Sequence, residues 1–260
     1  RGQIKSNRKY MSSYSKIIQK CWENIVNDSK ETSWLFKKTD IEKAADDLGI
    51  KIKNLADIRY SFDSREELPI SGYGILQQGK GHYAFVPVEE NLISVESVDN
   101  ALTCPDNIDD FTRKFITNDE QGAITRLYLS GALNHFTGFS DIIRIQDHWR
   151  TTGPQGQVEV DSLASVMING TRQLLLINVK KTPDRISKTY LDNQYRLGKA
   201  KFDCDFSILN VYVSDSYAVC WLATNLHSLD EIAIGERIMV NLYDKAKSSG
   251  NNSVPEKQED

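Results

Sequence analysis

The sequence predicts an α/β (α+β) chain in two parts, and three observations carry that reading. Ile17, Ile18, Cys21, Trp22, Ile25 and Val26 recur at helical spacing, and shorter helical patterns follow before a hairpin pattern at 73–86. Further on, two apolar β-branched runs flank Asn169-Gly170, the strongest short-range signal for a two-residue hairpin with a type I′ turn. After that hairpin, a polar helical stretch from Ser187 to about Phe202 feeds two apolar strands, Phe206 to Val213 and Ala218 to Ala223. That order is the one expected of a mixed β-sheet flanked by helices. The expected divisions are 1–100, 101–246 and a polar, disordered tail at 247–260.

Composition bounds the function. The chain has 260 residues, enough for a large domain or two small ones, and a net charge of -4 that fits an ordinary soluble protein. No apolar run approaches the roughly eighteen residues needed to span a bilayer, and no signal peptide is visible. Cys21, Cys104, Cys204 and Cys220 are widely spaced, so reduced thiols in a cytoplasmic protein are expected. The overall acidity argues mildly against a nucleic-acid partner, but a binding face needs only local positive charge. His82, His135, His148 and His227 lack neighbours at zinc-ligand spacing.

In the first part, Arg1, Lys5, Arg8 and Lys9 make either a basic arm or an expression remnant. The helix carrying Trp22 reads as core packing. Thr39 or Asp40 caps a helix through Ile41, Ala44, Ala45 and Leu48 that stops at Gly49, and a second helix near Asn54 carries Leu55, Ile58 and Tyr60. Two short helices joined at a glycine, then a hairpin around Gln78-Gly79-Lys80-Gly81, have the order of a winged helix-turn-helix-like domain. Lys51, Lys53, Asn54, Arg59, Arg65, Lys80 and His82 are its candidates for groove or phosphate contact. Winged helices also serve as protein-interaction modules, and DNA binding is favoured only beside the motif described next.

Asp119 and Glu120 open a helix through Ile124, Leu127, Tyr128, Leu129 and Leu133 that closes around Gly138. Asp141 to Arg150 is expected to hold a strand, Ile142-Ile143-Arg144-Ile145, leading into a polar loop from Gln146 to Pro154 in which His148, Trp149 and Arg150 contact DNA or else Trp149 joins the core and His148 caps the turn. With Asn169 and Gly170 as the loop residues of the hairpin, Ile168 faces Thr171, Asp161 faces Asn178 and Glu159 faces Lys180. Those four polar side chains then project from one side of the sheet, with Val158, Val160, Val166, Ile168, Leu175, Ile177 and Val179 on the other. A single charge pair on a strand is ordinarily a solvated edge; four polar groups ending so apolar a run break the local rule as functional sites do.

Asp161, followed across the hairpin by Asn178-Val179-Lys180, resembles the PD-(D/E)xK nuclease motif of type II restriction endonucleases and DNA-repair nucleases. The resemblance implies a restriction-endonuclease-like core, with Asp161 as ligand of Mg²⁺ (Mn²⁺ substituting) and Lys180 as the lysine that positions water and stabilises the phosphorane. Asn178 stands where the family usually has Glu or Asp, although one branch carries an amide there. Asn178 supplies no charge, so Glu159, or Glu120 from the preceding helix, would have to complete the metal site; acids at a helix start also serve the macrodipole. Lys181, Arg185, Lys188, Arg196 and Lys199 are expected to form a basic rim for DNA phosphates, or else a solvated helix face. The implied activity is Mg²⁺-dependent hydrolysis of double-stranded DNA by a homodimeric type II restriction enzyme. The alternatives are a DNA-binding protein on a degenerate nuclease fold, and an engineered Asn178 that traps substrate.

Overall fold

In the computed structural model, which describes residues 11–28, 34–93, 101–104, 107–181, 183–214 and 217–241, the chain is a mixed α/β protein. The expected basic arm, the division near residue 100 and the C-terminal tail lie outside the described residues. The N-terminal elements run α1 (Ser13–Asp28), β1 (Leu35–Lys37), α2 (Lys38–Asp47), α3 (Leu55–Ser64), β2 (Tyr73–Gly79) and β3 (His82–Pro87). Local chemistry sets these limits. The Asp40 carboxylate accepts the Lys37 N–H at 2.7 Å to start α2, which makes Lys37 rather than Thr39 or Asp40 the capping position. Gly49, at φ 65°, turns the chain after α2, and Asn54 Oδ1 accepts the Ala56 N–H to start α3. β1, β3 and β2 form a three-stranded antiparallel sheet. Ile17, Ile18, Cys21, Phe36, Ile41, Ile58, Phe62 and Phe85 form its core with α1, α2 and α3.

The remaining elements are β4 (Leu92–Ile93), β5 (Leu102–Cys104), α4 (Asp110–Arg113), α5 (Glu120–Leu129), β6 (Phe139–Gly153), β7 (Gly156–Ile168), β8 (Thr171–Lys181), β9 (Ile186–Ser187), α6 (Lys188–Lys201), β10 (Phe206–Val213), β11 (Tyr217–Thr224) and β12 (Ala233–Asn241). Seven strands make one sheet in the order β5-β12-β11-β10-β8-β7-β6, antiparallel except for the β8/β10 and β12/β5 pairs. α5 covers one face, where Ile124 and Leu127 join a core with Val166, Leu175, Ile177, Val179 and Val211. α6 covers the other, where Leu191 packs in a core with Leu163, Leu176, Ile208 and Trp221. Each such fully buried aliphatic side chain stabilises the fold by roughly 1.5–3 kcal/mol relative to exposure.

The hairpin forms with the expected register from Ile168↔Thr171 down to Ser162↔Ile177, with Asn169 at φ 49° and Gly170 at φ 83°, both positive as a type I′ turn requires. Three expectations are corrected. The polar loop at 146–154 is strand: β6 runs unbroken to Gly153, bulged between Arg144 and Gln146, with Trp149 opposite Val160 and Arg150 opposite Glu159. α5 ends at Leu129, and Leu133 lies in a separate 3₁₀ turn, Ala132–His135, after Gly131 at φ 72°. Val160 packs in the α6-side core rather than with Val166 and Ile177, so the alternation of faces breaks around Asp161. Among the described residues no helix is long and apolar enough to cross a membrane. None of the four cysteines forms a disulfide; Cys21, Cys104 and Cys220 are buried and Cys204 is exposed.

Candidate active site

The site begins where the hairpin splits. Below Ser162↔Ile177, β7 remains paired with β6 and β8 with β10, but β7 and β8 no longer pair with each other. The Asp161 carboxylate fills the gap by accepting the Val179 N–H at 2.7 Å. From the other side α6 closes it: the Tyr190 hydroxyl donates to the Glu159 carbonyl at 2.9 Å, and Gln194 Nε2 donates to the same oxygen at 3.3 Å. Backbone groups orphaned by the separation of the strands are thus met by side chains.

Asp161, Lys180, Glu159 and Glu120 line one cleft of about 890 Å³. Its opposite wall comes from the N-terminal elements: Asn54, Asp57, Arg59 and Tyr60 around α3, with Gln77 and Tyr83 from the β2–β3 hairpin. Lys180 is buried at 6% exposure, with Asp161, Glu120 and Tyr60 around it. Its ammonium lies 3.4 Å from the Tyr60 hydroxyl and 5.5 Å from the centre of that ring. Burial works to lower the Lys180 pKa, but Asp161, Tyr60 and Glu120 outweigh it and hold the group above its ordinary value. Burial pushes the Asp161 carboxyl up, against the pull of Lys180 and the Val179 amide. Glu120 is likewise raised by burial, with Lys180 opposing and Asp161 adding to the rise. Two carboxylates drawn away from water therefore lie within electrostatic reach of one buried ammonium.

Asn178 does not join this group. It is fully buried, and its amide makes a reciprocal pair with Gln194, Nδ2 to Oε1 at 2.9 Å and Nε2 to Oδ1 at 2.7 Å. Nδ2 also reaches Asn210 Oδ1 at 3.0 Å, and the Tyr190 hydroxyl lies 3.3 Å from Oδ1. The expected cluster of four is thus three side chains in the cleft and one beneath it, because the ladder ends at Ser162↔Ile177, before either of the two polar pairs it would have aligned. Glu159 faces the cleft but is engaged by Arg150 at 2.9 Å and by His148 at 3.8 Å. Among the described residues no group of three or more His, Cys, Asp or Glu side chains is arranged to hold a metal ion. Of the acids on the cleft, Asp161 and Glu120 are the two whose charges act on Lys180; Mg²⁺ usually keeps waters and takes substrate phosphate oxygens, so one or two carboxylates can be enough to hold it.

The other expected contacts scatter. Arg59 lines the cleft, with its guanidinium on Gln77 Oε1 at 2.8 Å and on Asp63 at 3.6 Å. Arg65 pairs with Asp184 at 3.3 Å and lies over the Tyr60 ring. Lys53 and Lys80 are exposed, Lys80 in the turn between β2 and β3, whose His82 ring bonds the Lys80 carbonyl. Of the expected basic rim only Lys181 stands beside Glu120, with its ammonium on the Asn118 carbonyl at 3.2 Å. Arg185 and Lys188 line a different cavity, near Glu67 and Glu90. Arg196 pairs with Asp192 at 2.8 Å, one helical turn away.

Sequence reasoning misses Tyr60, Tyr190, Gln194 and Asn193 as site residues. Tyr60 reads in the sequence as an apolar position of α3, yet it is 36% exposed and touches the lysine; its signal is a phenol among short polar side chains. α3 is also fastened to the segment after Lys180: the Arg185 N–H donates to the Ser64 carbonyl at 2.6 Å and the Ser187 hydroxyl reaches Asp63 at 3.4 Å. Comparison with protein-family models, with curated proteins and with solved structures finds no match to this chain.

Proposed function

We propose that this chain is a Mg²⁺-dependent endonuclease, with Mn²⁺ able to substitute, that hydrolyses phosphodiester bonds of double-stranded DNA as a sequence-specific type II restriction enzyme. The observation that carries the reading is the buried Lys180 ammonium within electrostatic reach of the Asp161 and Glu120 carboxylates, all on one cleft walled by two separate groups of elements. Further support comes from the element order. The run α1-β1-α2-α3-β2-β3 agrees with the order expected of a winged helix. The β7–β8 hairpin, α6 and β10 agree with the order expected of a restriction-endonuclease-like core.

In this reading Asp161 and Glu120 would hold the ion, which when bound supplies a water made nucleophilic near neutral pH and a Lewis acid for the phosphoryl oxygens. Lys180 orients the attacking water and neutralises charge growing on the phosphorus oxygens. Burial strengthens that interaction because little solvent competes for the ammonium. Tyr60 holds the ammonium from the opposite wall. Glu159, tied to Arg150, shapes the cleft rather than completing the metal shell. A homodimer would present two such sites to the two strands. The outer edge of β6, with Ile143 and Ile145 each 51% exposed, supports β6 as the surface where two copies meet.

The test is incubation with plasmid DNA in Mg²⁺ or Mn²⁺. Discrete fragments are expected, and both Asp161→Ala and Lys180→Ala should slow their appearance by on the order of a hundred- to a thousandfold. Cleavage surviving both substitutions would sink the assignment. A second reading is a DNA-binding protein on a degenerate nuclease fold. It is favoured by the uncharged, fully engaged Asn178, and it predicts DNA retention on a gel with no fragments.

A further inference from the structure

Asn193 is 3% exposed, and neither its Oδ1 nor its Nδ2 has a hydrogen-bond partner among the described residues. A buried amide left in that state lowers stability, so its retention calls for a compensating role. Its position supplies one. Asn193 lies three residues after Tyr190, on the same face of α6, and both line the cleft that holds Asp161, Lys180 and Glu120. Gln77 and Arg59 stand on the facing wall, but their polar atoms already serve each other at 2.8 Å, and Arg150 is occupied by Glu159. Asn193 is therefore a polar group at the floor of the cleft with both donor and acceptor unmet, and a base pairs with it once the side chain turns out towards the cleft.

We propose that the inner wall of the cleft is a nucleobase-recognition site, in which Asn193 accepts a hydrogen bond from the N6 amino group and donates one to N7 of an adenine turned out of its stack beside the scissile phosphodiester. The proposal rests on reading the cleft as a nuclease site. An asparagine amide presents one donor next to one acceptor, the complement of the adenine N6/N7 edge; guanine offers two acceptors there and calls for Arg or Lys instead. The Arg59 and Arg150 cations of this cleft are already held by acids and an amide, which leaves the adenine edge as the match. The base must leave its stack because Asn193 lies at the inner wall. A cleft of about 890 Å³ is within the range of roughly 300–1,000 Å³ typical of small-ligand sites, which gives room for an unstacked nucleotide. The Tyr60 and Tyr83 rings line the same space and give an unstacked base a surface to lie on.

The experiment is cleavage of a randomised duplex library in Mg²⁺, with the new ends sequenced, using the native chain, Asn193→Leu and Asn193→Asp. The native chain should enrich adenine at one position beside the cut. Among the ends that Asn193→Leu makes, that enrichment should fall roughly tenfold, and the variant should melt no lower than the native protein, since it removes a buried amide without partners. Asn193→Asp, which only accepts, should move the preference towards cytosine, whose N4 amino group donates. Ends without an adenine preference, or variants with the native profile, overturn the base site and leave the nuclease standing. A native chain that yields no ends overturns the nuclease reading and this site with it.

Discussion

The β7–β8 hairpin is two different structures end to end. Its turn half, Ser162 to Ile177, is an uninterrupted antiparallel ladder with Ala164, Val166, Leu175, Leu176 and Ile177 buried between α5 and α6. Its open half has no ladder between the two strands. There Asp161 takes the Val179 amide, Tyr190 and Gln194 take the Glu159 carbonyl, and Lys180 turns towards α3. Both halves satisfy their backbone groups, one with strand partners and the other with side chains. Replacing strand partners with side chains is what opens room for a charged group inside the fold, and it brings in residues from α6 and α3 that a two-strand picture leaves out.

The largest expected effect is on the turn half. Leu176 is fully buried in the core with Trp221 and Leu191, so Leu176→Ala should lower stability by about 2–5 kcal/mol in urea or thermal unfolding. A loss well under about 1 kcal/mol would mean the turn half is not the rigid base on which the open half depends. Cleavage measured well below the melting temperature should stay close to native, because Leu176 does not line the cleft.

The next effect lies beneath the open half. Asn178→Leu removes one partner of a reciprocal buried amide pair and strands Gln194, a loss of about 1–3 kcal/mol. Replacing Asn178 and Gln194 together with leucines should recover part of that loss, because no polar group of the pair is then left unmet. If Asn178 were instead a metal ligand, Asn178→Asp would tighten Mg²⁺ binding. With the side chain held by Gln194 and Asn210, Asn178→Asp should weaken the fold and leave Mg²⁺ affinity unchanged, by calorimetry on the folded variant.

These effects also mark what is legible in the chain. Asn169-Gly170 reveals the register because a type I′ turn needs positive φ at both central residues, and few other pairs supply it cheaply. Extending that register to Asp161 and Lys180 fails for Asn178, because ladder geometry carries no information about where two strands part. Gln146 to Gly153 reads as loop on its polar content; in the strand Gln146, His148 and Arg150 are exposed and Asp147, Trp149 and Thr151 half-buried, but with Asp147 and Thr151 polar the sequence carries no apolar–polar alternation to show it. Glu120 is reachable from the helix preceding the hairpin. Tyr60 and Asn193 are not, since their places come from long-range packing of α3 and α6 around the split, and neither is marked by local spacing.

The smallest effect is one of slope, and it separates the two halves by charge. Asp161 and Glu120 have folded-state pKa values above the ordinary 3.8 and 4.5 because burial disfavours their ionised forms. The unfolded chain ionises these groups at the ordinary values, so within that window the folded state holds more protons than the unfolded one. Stability without metal must then fall as pH rises from the ordinary carboxylate values through the raised ones. Buried Asp63 and Asp192, raised by burial as well, contribute in the same sense. The contribution of the site is therefore isolated by the difference between the native chain and Asp161→Asn, which should show a shallower decline from about pH 4 upward. Mg²⁺ should work against the same protons: it binds the ionised carboxylates, so the melting temperature it adds should grow as pH rises and vanish in Asp161→Asn. A turn-half variant such as Leu176→Ala should shift the whole stability curve down and keep the native slope. Equal slopes in the native chain and Asp161→Asn would mean that the open half carries no buried charge, and the contrast between the two halves would then be one of packing alone.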